Sequence, residues 1–430
     1  MVIGHDSIEY ASLTDVGVRR SHNQDAHATL LASDDEQWAV RGHIFLVADG
    51  MGAHAVGELA SELAVGIIPH TYHKYAPQGG VPALRKAFVE ANASIHAKGQ
   101  QNPEFGGMGT TTTALLLRPD GAWVGHVGDS RAYRIRAGKI EQMSFDHSLV
   151  WEMARRQRVD PEGLSGIPSN VIVRSLGPEP LVQVDLEGPH PIKAGDVYLL
   201  CSDGLSGQVA DAEIGAIASV LPPAEACRFL VDLANLRGGP DNITVLIVRL
   251  SESARHANSK PAGTRPWYRR ISWPVALLIV GLLLVTVAAY LTAGQWRAAG
   301  IAVFVLGALA ILPGILGLVI SHGREQRRQA EGPHYPPPRM YRACDCHVDK
   351  PLIEKLTKAT AALEQQIKEK QWKVDWLEYQ EHFALGIKFL GEEKLTDGFR
   401  ELCRAMRVLA EVLQRQRGKG EDFRPLWDKG

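Results

Sequence analysis

Two uncharged apolar runs lie close together late in the chain: PVALLIVGLLLVTVAAYLTAG, residues 274–294, and AAGIAVFVLGALAILPGILGLVI, residues 298–320. A bilayer core of about 30 Å needs roughly 20 residues of helix, and a soluble core seldom has room for two such helices in tandem. The spacer GQWR is so short that the runs must double back as an antiparallel hairpin. Arg265, Arg269 and Arg270 precede the first run, Arg324, Arg327 and Arg328 follow the second, and the turn holds Arg297 alone. The positive-inside rule then puts both ends in the cytoplasm. The expected location is the inner (plasma) membrane, crossed twice, with the lipid bilayer as a partner. Trp267, Tyr268 and Trp273 suit the interfacial belt on the entry side, and Pro313 is expected to bend the second helix.

The hairpin divides the 430 residues. Residues 1–250 read as a globular mixture of short apolar strands, Gly-rich turns and amphipathic helices. Residues 251–270 open with the polar SESARHANSKPAGT and read as a linker. The spans occupy 271–322, and a stiff Pro-rich connector containing GPHYPPPRM covers 323–349. Residues 350–430 are expected to be helical. There Leu395, Phe399, Leu402, Met406, Leu409 and Leu413 alternate by four and three along one stripe, and Leu352, Leu356, Leu363 and Ile367 form a similar face.

Charge excludes some functions. Lys+Arg 47 against Asp+Glu 48 leaves a net charge of -1, which gives no footprint for nucleic acid. Cys201, Cys227, Cys344, Cys346 and Cys403 are odd in number and show no disulfide framework, so a reducing compartment is expected. The opening MVIGHDSIEY has neither the basic nor the apolar region of a signal peptide.

Carboxylates recur at the ends of apolar strands in residues 1–250. Ile44 to Ala48 runs into Asp49 and Gly50; Val197 to Cys201 runs into Ser202, Asp203 and Gly204. Asp241 and Asn242 stand just before the strand Ile243 to Leu250. Gly128, Asp129 and Ser130 sit within a strand-turn-strand, and Arg20, Asn23, Gln24 and Asp25 precede a short strand. Each alone is a turn signal. Together they deliver several carboxylates to rigid positions with glycines beside them. Crowded aspartates stay ionised only beside cations, and hard divalent cations such as Mg²⁺ and Mn²⁺ prefer oxygen ligands. The Cys and His spacing of a zinc site is absent here.

In chain order, GVRRSHNQD, VADGMGAHAVGELAS, GMGTTTTALLL, VGDSRAYRIRAGKI, SNVIVRSLG, LLCSDGLS and GGPDNITVLIV resemble the motif blocks of the metal-dependent serine/threonine protein phosphatases of type 2C, in their bacterial form. The resemblance covers residues from about 9 to 250. It implies an α+β fold, a four-layer α-β-β-α sandwich of two antiparallel sheets flanked by helices, followed here by the two-helix hairpin and a small all-α region. It implies a hydrolase acting on phosphoserine and phosphothreonine in proteins by attack of a metal-bridging water, with Mn²⁺ or Mg²⁺ as cofactor, two ions in the main site and a weaker third.

The resemblance also assigns roles. Asp49 bridges two ions, and the Gly50 carbonyl binds one of them. Asp203 and Asp241 complete the shell of the first ion, and Asp129 forms the third site with Asp203. Asp25 holds metal-bound water, and Arg20 grips the substrate phosphate, a task suited to its bidentate fork. Segment 146–168, basic through Arg155, Arg156 and Arg158, matches the family's mobile flap. The sequence departs at Gln24, where the family often has Glu, and at Ala53, which replaces a glycine. Met51 stands where some eukaryotic members carry a general-acid His. Phosphorylated proteins, serine/threonine kinases among them, are the expected partners. The alternatives are a pseudophosphatase or a phosphoprotein-binding membrane scaffold. The CDCH cluster from Cys344 to His347 reads as a structured loop or half of a metal site.

Overall fold

The computed structural model describes residues 3–52, 56–164, 166–168, 170–251, 273–293, 296–330 and 339–417. Outside them lie nearly all of the expected linker with Arg265, Trp267, Tyr268, Arg269 and Arg270, residues 331–338 of the connector, and Ala53. The chain divides into two compact units: Met1–Ala254 with Pro336–Gly430, and Arg255–Tyr335.

In the first unit the strands are β1 (Ile8–Asp15), β2 (Asp25–Leu30), β3 (His43–Met51), β4 (Gly109–Thr110), β5 (Thr112–Arg118) and β6 (Gly121–Val127). They continue as β7 (Arg131–Arg136), β8 (Lys139–Gln142), β9 (Asp185–His190), β10 (Val197–Cys201), β11 (Ile243–Leu250) and β12 (Arg342–Asp345). One antiparallel sheet runs β1-β11-β10-β7-β8-β12; the other runs β2-β3-β5-β6-β9, with β4 paired to the end of β3. Their central strands read as unbroken apolar runs because both faces are covered. Alternate residues Tyr198, Leu200, Leu246 and Val248 meet Phe45, Val47, Leu115 and Val124 between the sheets. Their neighbours Val197, Leu199, Val245 and Ile247 face a helical layer instead.

The helices are α1 (Asp35–Val40), α2 (Val56–Tyr75), α3 (Gly80–Gly99), α4 (Leu149–Gln157), α5 (Asp203–Ser206), α6 (Asp211–Val220) and α7 (Pro223–Leu236), followed by α8 (Trp273–Ala293), α9 (Arg297–Ala330), α10 (Lys350–Glu369), α11 (Trp376–Gly391) and α12 (Leu395–Arg417). Helices α2 and α3 cover the β2–β9 sheet, and α6 and α7 cover the other. This is the expected α+β sandwich of two sheets with helices outside.

The C-terminal helices pack onto α6 and α7. Their starts are capped locally, Asp349 accepting from the Leu352 N–H at 2.9 Å and Asp375 from the Glu378 N–H at 3.1 Å. The stripe from Phe399 to Leu413 is buried, and with Leu356, Leu363 and Ile367 of α10 it joins the same core as Ile217, Phe229 and Leu233. Arg404 forks onto Glu225 at 2.9 and 3.1 Å, and Lys355 reaches Glu213 at 3.2 Å. Within the expected connector, residues 342–345 form β12 at the sheet edge, Cys344 opposite Ile140. Cys346 is buried against Gly215 and Ile140, and the His347 ring lies beside Gly138. Of the CDCH cluster, Cys346 is thus used in packing, while Cys344, Asp345 and His347 are exposed.

In the second unit α8 and α9 form a hairpin. A Cβ on Gly281 would lie 3.0 Å from the Gly307 carbonyl oxygen, so glycine allows the two backbones to approach. Val275–Ala293 and Arg297–Leu316 are long and apolar enough to cross a membrane. Leu282, Leu283, Ile301, Phe304 and Leu309 are all more than half exposed.

Candidate metal centre and active site

The strand ends converge. Asp25 opens β2 and is paired directly with Asp49 near the end of β3. Thr111 fixes the Asp49 backbone twice: its Oγ1 accepts from the Asp49 N–H at 3.1 Å, and its N–H donates to the Asp49 carbonyl at 2.8 Å. The Gly50 N–H donates to the Gln24 carbonyl at 3.1 Å. Asp203 begins α5 one residue after Ser202. The Ser202 hydroxyl donates to Asp25 at 2.7 Å and accepts from the Thr244 N–H at 2.9 Å, which ties the two sheets together at the cleft. A Cβ on Gly204 would come within 1.9 Å of the Asn242 carbonyl oxygen, so only glycine lets the Asp203 turn pack so closely on the Asp241 loop.

Asn242 braces that loop. Its Nδ2 donates to the Val16 and His22 carbonyls, each at 2.9 Å, and its Oδ1 accepts from the Gln24 N–H at 2.8 Å. Arg20, carried on the 16–24 segment that Asn242 holds, donates to Asp241 at 2.7 Å and is half exposed. Asp129 follows Gly128, whose N–H donates to His147 Nδ1 at 3.0 Å; His147 Nε2 in turn contacts Asp185 at 3.0 Å. Ser130 and Thr111 hydroxyls meet at 2.7 Å beside it. Sequence reasoning placed the carboxylates but missed these braces. The serine directly before Asp203 and the asparagine directly after Asp241 were the available signals.

The electrostatics are those of crowded, dry carboxyls. Burial first, then Asp203 and Asp241, pushes Asp25 up to about 7. Burial, then Asp203 and Asp146, pushes Asp129 up to about 8. Burial and the surrounding Asp25, Asp203, Asp129 and Asp241 hold Asp49 well above the usual carboxylate range, and burial with Asp241 raises Asp203. Such groups hold protons in the folded state that the unfolded chain would release, so without a cation they oppose folding as pH rises from about 4 to about 8.

One oxygen each of Asp25, Asp129 and Asp203 is buried without a hydrogen-bond partner. Among the described residues no group of three or more His, Cys, Asp or Glu side chains is arranged to hold an ion by itself. Unsatisfied, crowded carboxylate oxygens, two of them on aspartates that line a cavity, fit a hard, hydrated divalent cation better than a zinc cage. A cavity of about 780 Å³ extends from Asp129 and Asp203 to Arg342 and Lys355.

A family model for protein phosphatase 2C matches residues 18–163. The chain is 36% identical over 248 residues to the serine/threonine protein phosphatase PstP of Mycobacterium tuberculosis, covering 56% of this chain and 44% of that protein. It is 34% identical over 253 residues to the serine/threonine phosphatase Stp of Listeria monocytogenes, covering 57% of this chain and 98% of that one. This chain therefore spans less than half of the mycobacterial relative and nearly all of the listerial one. Among solved structures, the M. tuberculosis phosphatase PstP/Ppp superposes with a TM-score of 0.51 at 35% identity, over 57% of this chain and 99% of that one. Staphylococcus aureus Stp1 gives 0.50 at 27% identity, over 58% and 98%.

Proposed function

This chain belongs to the type 2C serine/threonine protein phosphatase family, and on that premise we propose that it is a membrane-anchored, divalent-cation-dependent phosphatase of phosphoserine and phosphothreonine in proteins. The observation that carries this reading is the set of buried, unpartnered carboxylate oxygens on Asp25, Asp129 and Asp203 gathered around Asp49.

The ligands would be Asp49, the Gly50 carbonyl, Asp203 and Asp241, with Asp129 and Asp203 serving a third ion. Bound there, Mn²⁺ or Mg²⁺ would acidify the attacking water and offset charge on the phosphoryl oxygens. The protein's own part is orientation. Asp25, held by Ser202, would accept a hydrogen bond from that water. Arg20, poised over Asp241, has further N–H donors for two phosphate oxygens and can steady an in-line arrangement. The division into a phosphatase domain over 1–250, a linker, two spans and a C-terminal helical region belongs to the same proposal. So do inner-membrane location with both ends cytoplasmic, and serine/threonine kinases among the substrates.

The test is phosphate release from p-nitrophenyl phosphate and a phosphothreonine peptide by the purified full chain in detergent, with Mn²⁺ or with chelator. Turnover of both substrates only with metal is expected. Peptide binding without turnover would instead identify a pseudophosphatase. Arg20→Ala should raise KM for the phosphopeptide about tenfold or more, the loss of one charge-assisted phosphate contact. An unchanged KM would remove Arg20 from the phosphate site.

A further inference from the structure

The C-terminal part of the chain touches the segment that flanks the carboxylate cleft. Arg342, on β12, forms an ion pair with Glu162, which lies in the short turn Pro161–Gly163 after α4. The same guanidinium stands 3.8 Å from Asp211 and 5.9 Å from the Trp151 ring of α4. Arg131 lies 5.8 Å from that ring, so Trp151 is near two cations. Next to Arg342, the Tyr341 ring is 5.5 Å from Phe145, and its hydroxyl donates to Glu187 at 2.6 Å.

The turn has little else to hold it. Glu162 is 74% exposed, and Val159 is 47% exposed. Among the described residues, the turn's other hydrogen bonds stay within 154–164: Val159 N–H to Ala154, Glu162 N–H to the Asp160 carboxylate, Gly163 N–H to Asp160 and Leu164 N–H to Pro161. Trp151, Glu162 and Arg342 also wall the cavity that reaches Asp129 and Asp203. Polypeptide flanking a phosphorylated residue held at the carboxylates would have to pass along this wall. A small aryl phosphate would not.

We propose that Arg342 is a positioning residue that pins segment 149–163 beside the Asp129–Asp203 edge, so that it sets the fit of the substrate polypeptide and leaves the phosphate-handling groups alone. The inference rests on the phosphatase reading for its substrate. Its geometry comes from β12, a strand of this chain beyond the hairpin; about two-fifths of the chain has no counterpart in the listerial relative.

The experiment uses the full chain in detergent with Mn²⁺, comparing Arg342→Ala, Arg342→Lys and the exchanged pair Arg342→Glu with Glu162→Arg. Arg342→Ala should raise KM for the phosphothreonine peptide about fivefold, as expected for loss of a partly exposed ion pair and ring contact. Its kcat and its p-nitrophenyl phosphate kinetics should stay at wild-type values. Arg342→Lys should recover most of the peptide KM, and the exchanged pair part of it, since a Glu at 342 restores the pair with residue 162 but faces Asp211 and loses the ring contact. An unchanged peptide KM overturns the proposal. So does a parallel loss on both substrates that the exchanged pair fails to repair, since that reports general damage. Wild-type protein inert towards p-nitrophenyl phosphate would count against the phosphatase reading. Even then, amide hydrogen exchange over 149–163 tests the clamp: faster exchange in Arg342→Ala supports it, and equal exchange overturns it.

Discussion

Asp49→Asn and Asp203→Asn are expected to lower Mn²⁺-dependent phosphate release by about three orders of magnitude or more while the protein still folds. Asparagine keeps the shape of the side chain but removes the charge that a divalent cation requires. The structure adds a second, opposite effect. Both carboxyls are raised by burial and by neighbouring aspartates, so without metal they repel their surroundings when ionised. A neutral amide relieves that repulsion. In chelator at pH 8 the variants should melt no lower than wild type; in excess Mn²⁺ wild type should gain stability and Asp49→Asn should gain little. Near-wild-type turnover in either variant would show that these aspartates do not hold the reaction together. A collapse of folding in chelator would show that their role is structural.

Removing residues 339–430 should cost about 5 kcal/mol of stability, roughly 10–20 °C in Tm, or leave the remainder insoluble. The covered face of α6 and α7 carries Ile217, Phe229 and Leu233, which share a core with Leu356, Phe399, Leu402, Met406 and Leu409. Truncation would expose that face and leave Glu213 and Glu225 without Lys355 and Arg404. It would also strip β12 from β8, opening a sheet edge. Differential scanning fluorimetry of full-length and truncated protein decides the matter. An unchanged melting temperature would mean that the C-terminal helices are a detachable module after all.

The two cases mark what could be read from the sequence. Asp49 and Asp203 sit at boundaries with a local signature: an apolar run, then Asp and Gly, with Ser202 intervening in the second. That pattern says where a strand ends and what it presents, so Asp49 and Asp203 were legible one at a time. The sandwich itself came from the resemblance carried by the motif blocks in chain order; the apolar runs Ile44–Ala48, Val197–Cys201 and Val245–Val248 said only that these strands are covered on both faces. The stripe on α12 likewise announced a buried face, but periodicity does not say against what. Its partner, α7, is over 150 residues earlier in the chain. β12 is less legible still: Arg-Ala-Cys-Asp has no apolar alternation, and it becomes a strand because β8 offers an open edge. Ser202 and Asn242 were overlooked because hydroxyl and amide side chains near turns usually serve the turn itself. Here they reach between elements, which only the fold reveals.

The most direct measurement is calorimetric titration of the full chain with Mn²⁺ near pH 7, in two buffers of different ionisation enthalpy. With Asp25 pushed up to about 7 and Asp129 to about 8, carboxyls must give up protons as cations bind. The predicted result is two tightly bound ions per chain, release of protons to the buffer, and loss of that binding in Asp49→Asn. Absence of saturable Mn²⁺ binding, or binding that survives Asp49→Asn without proton release, would contradict a cation centre built on these aspartates.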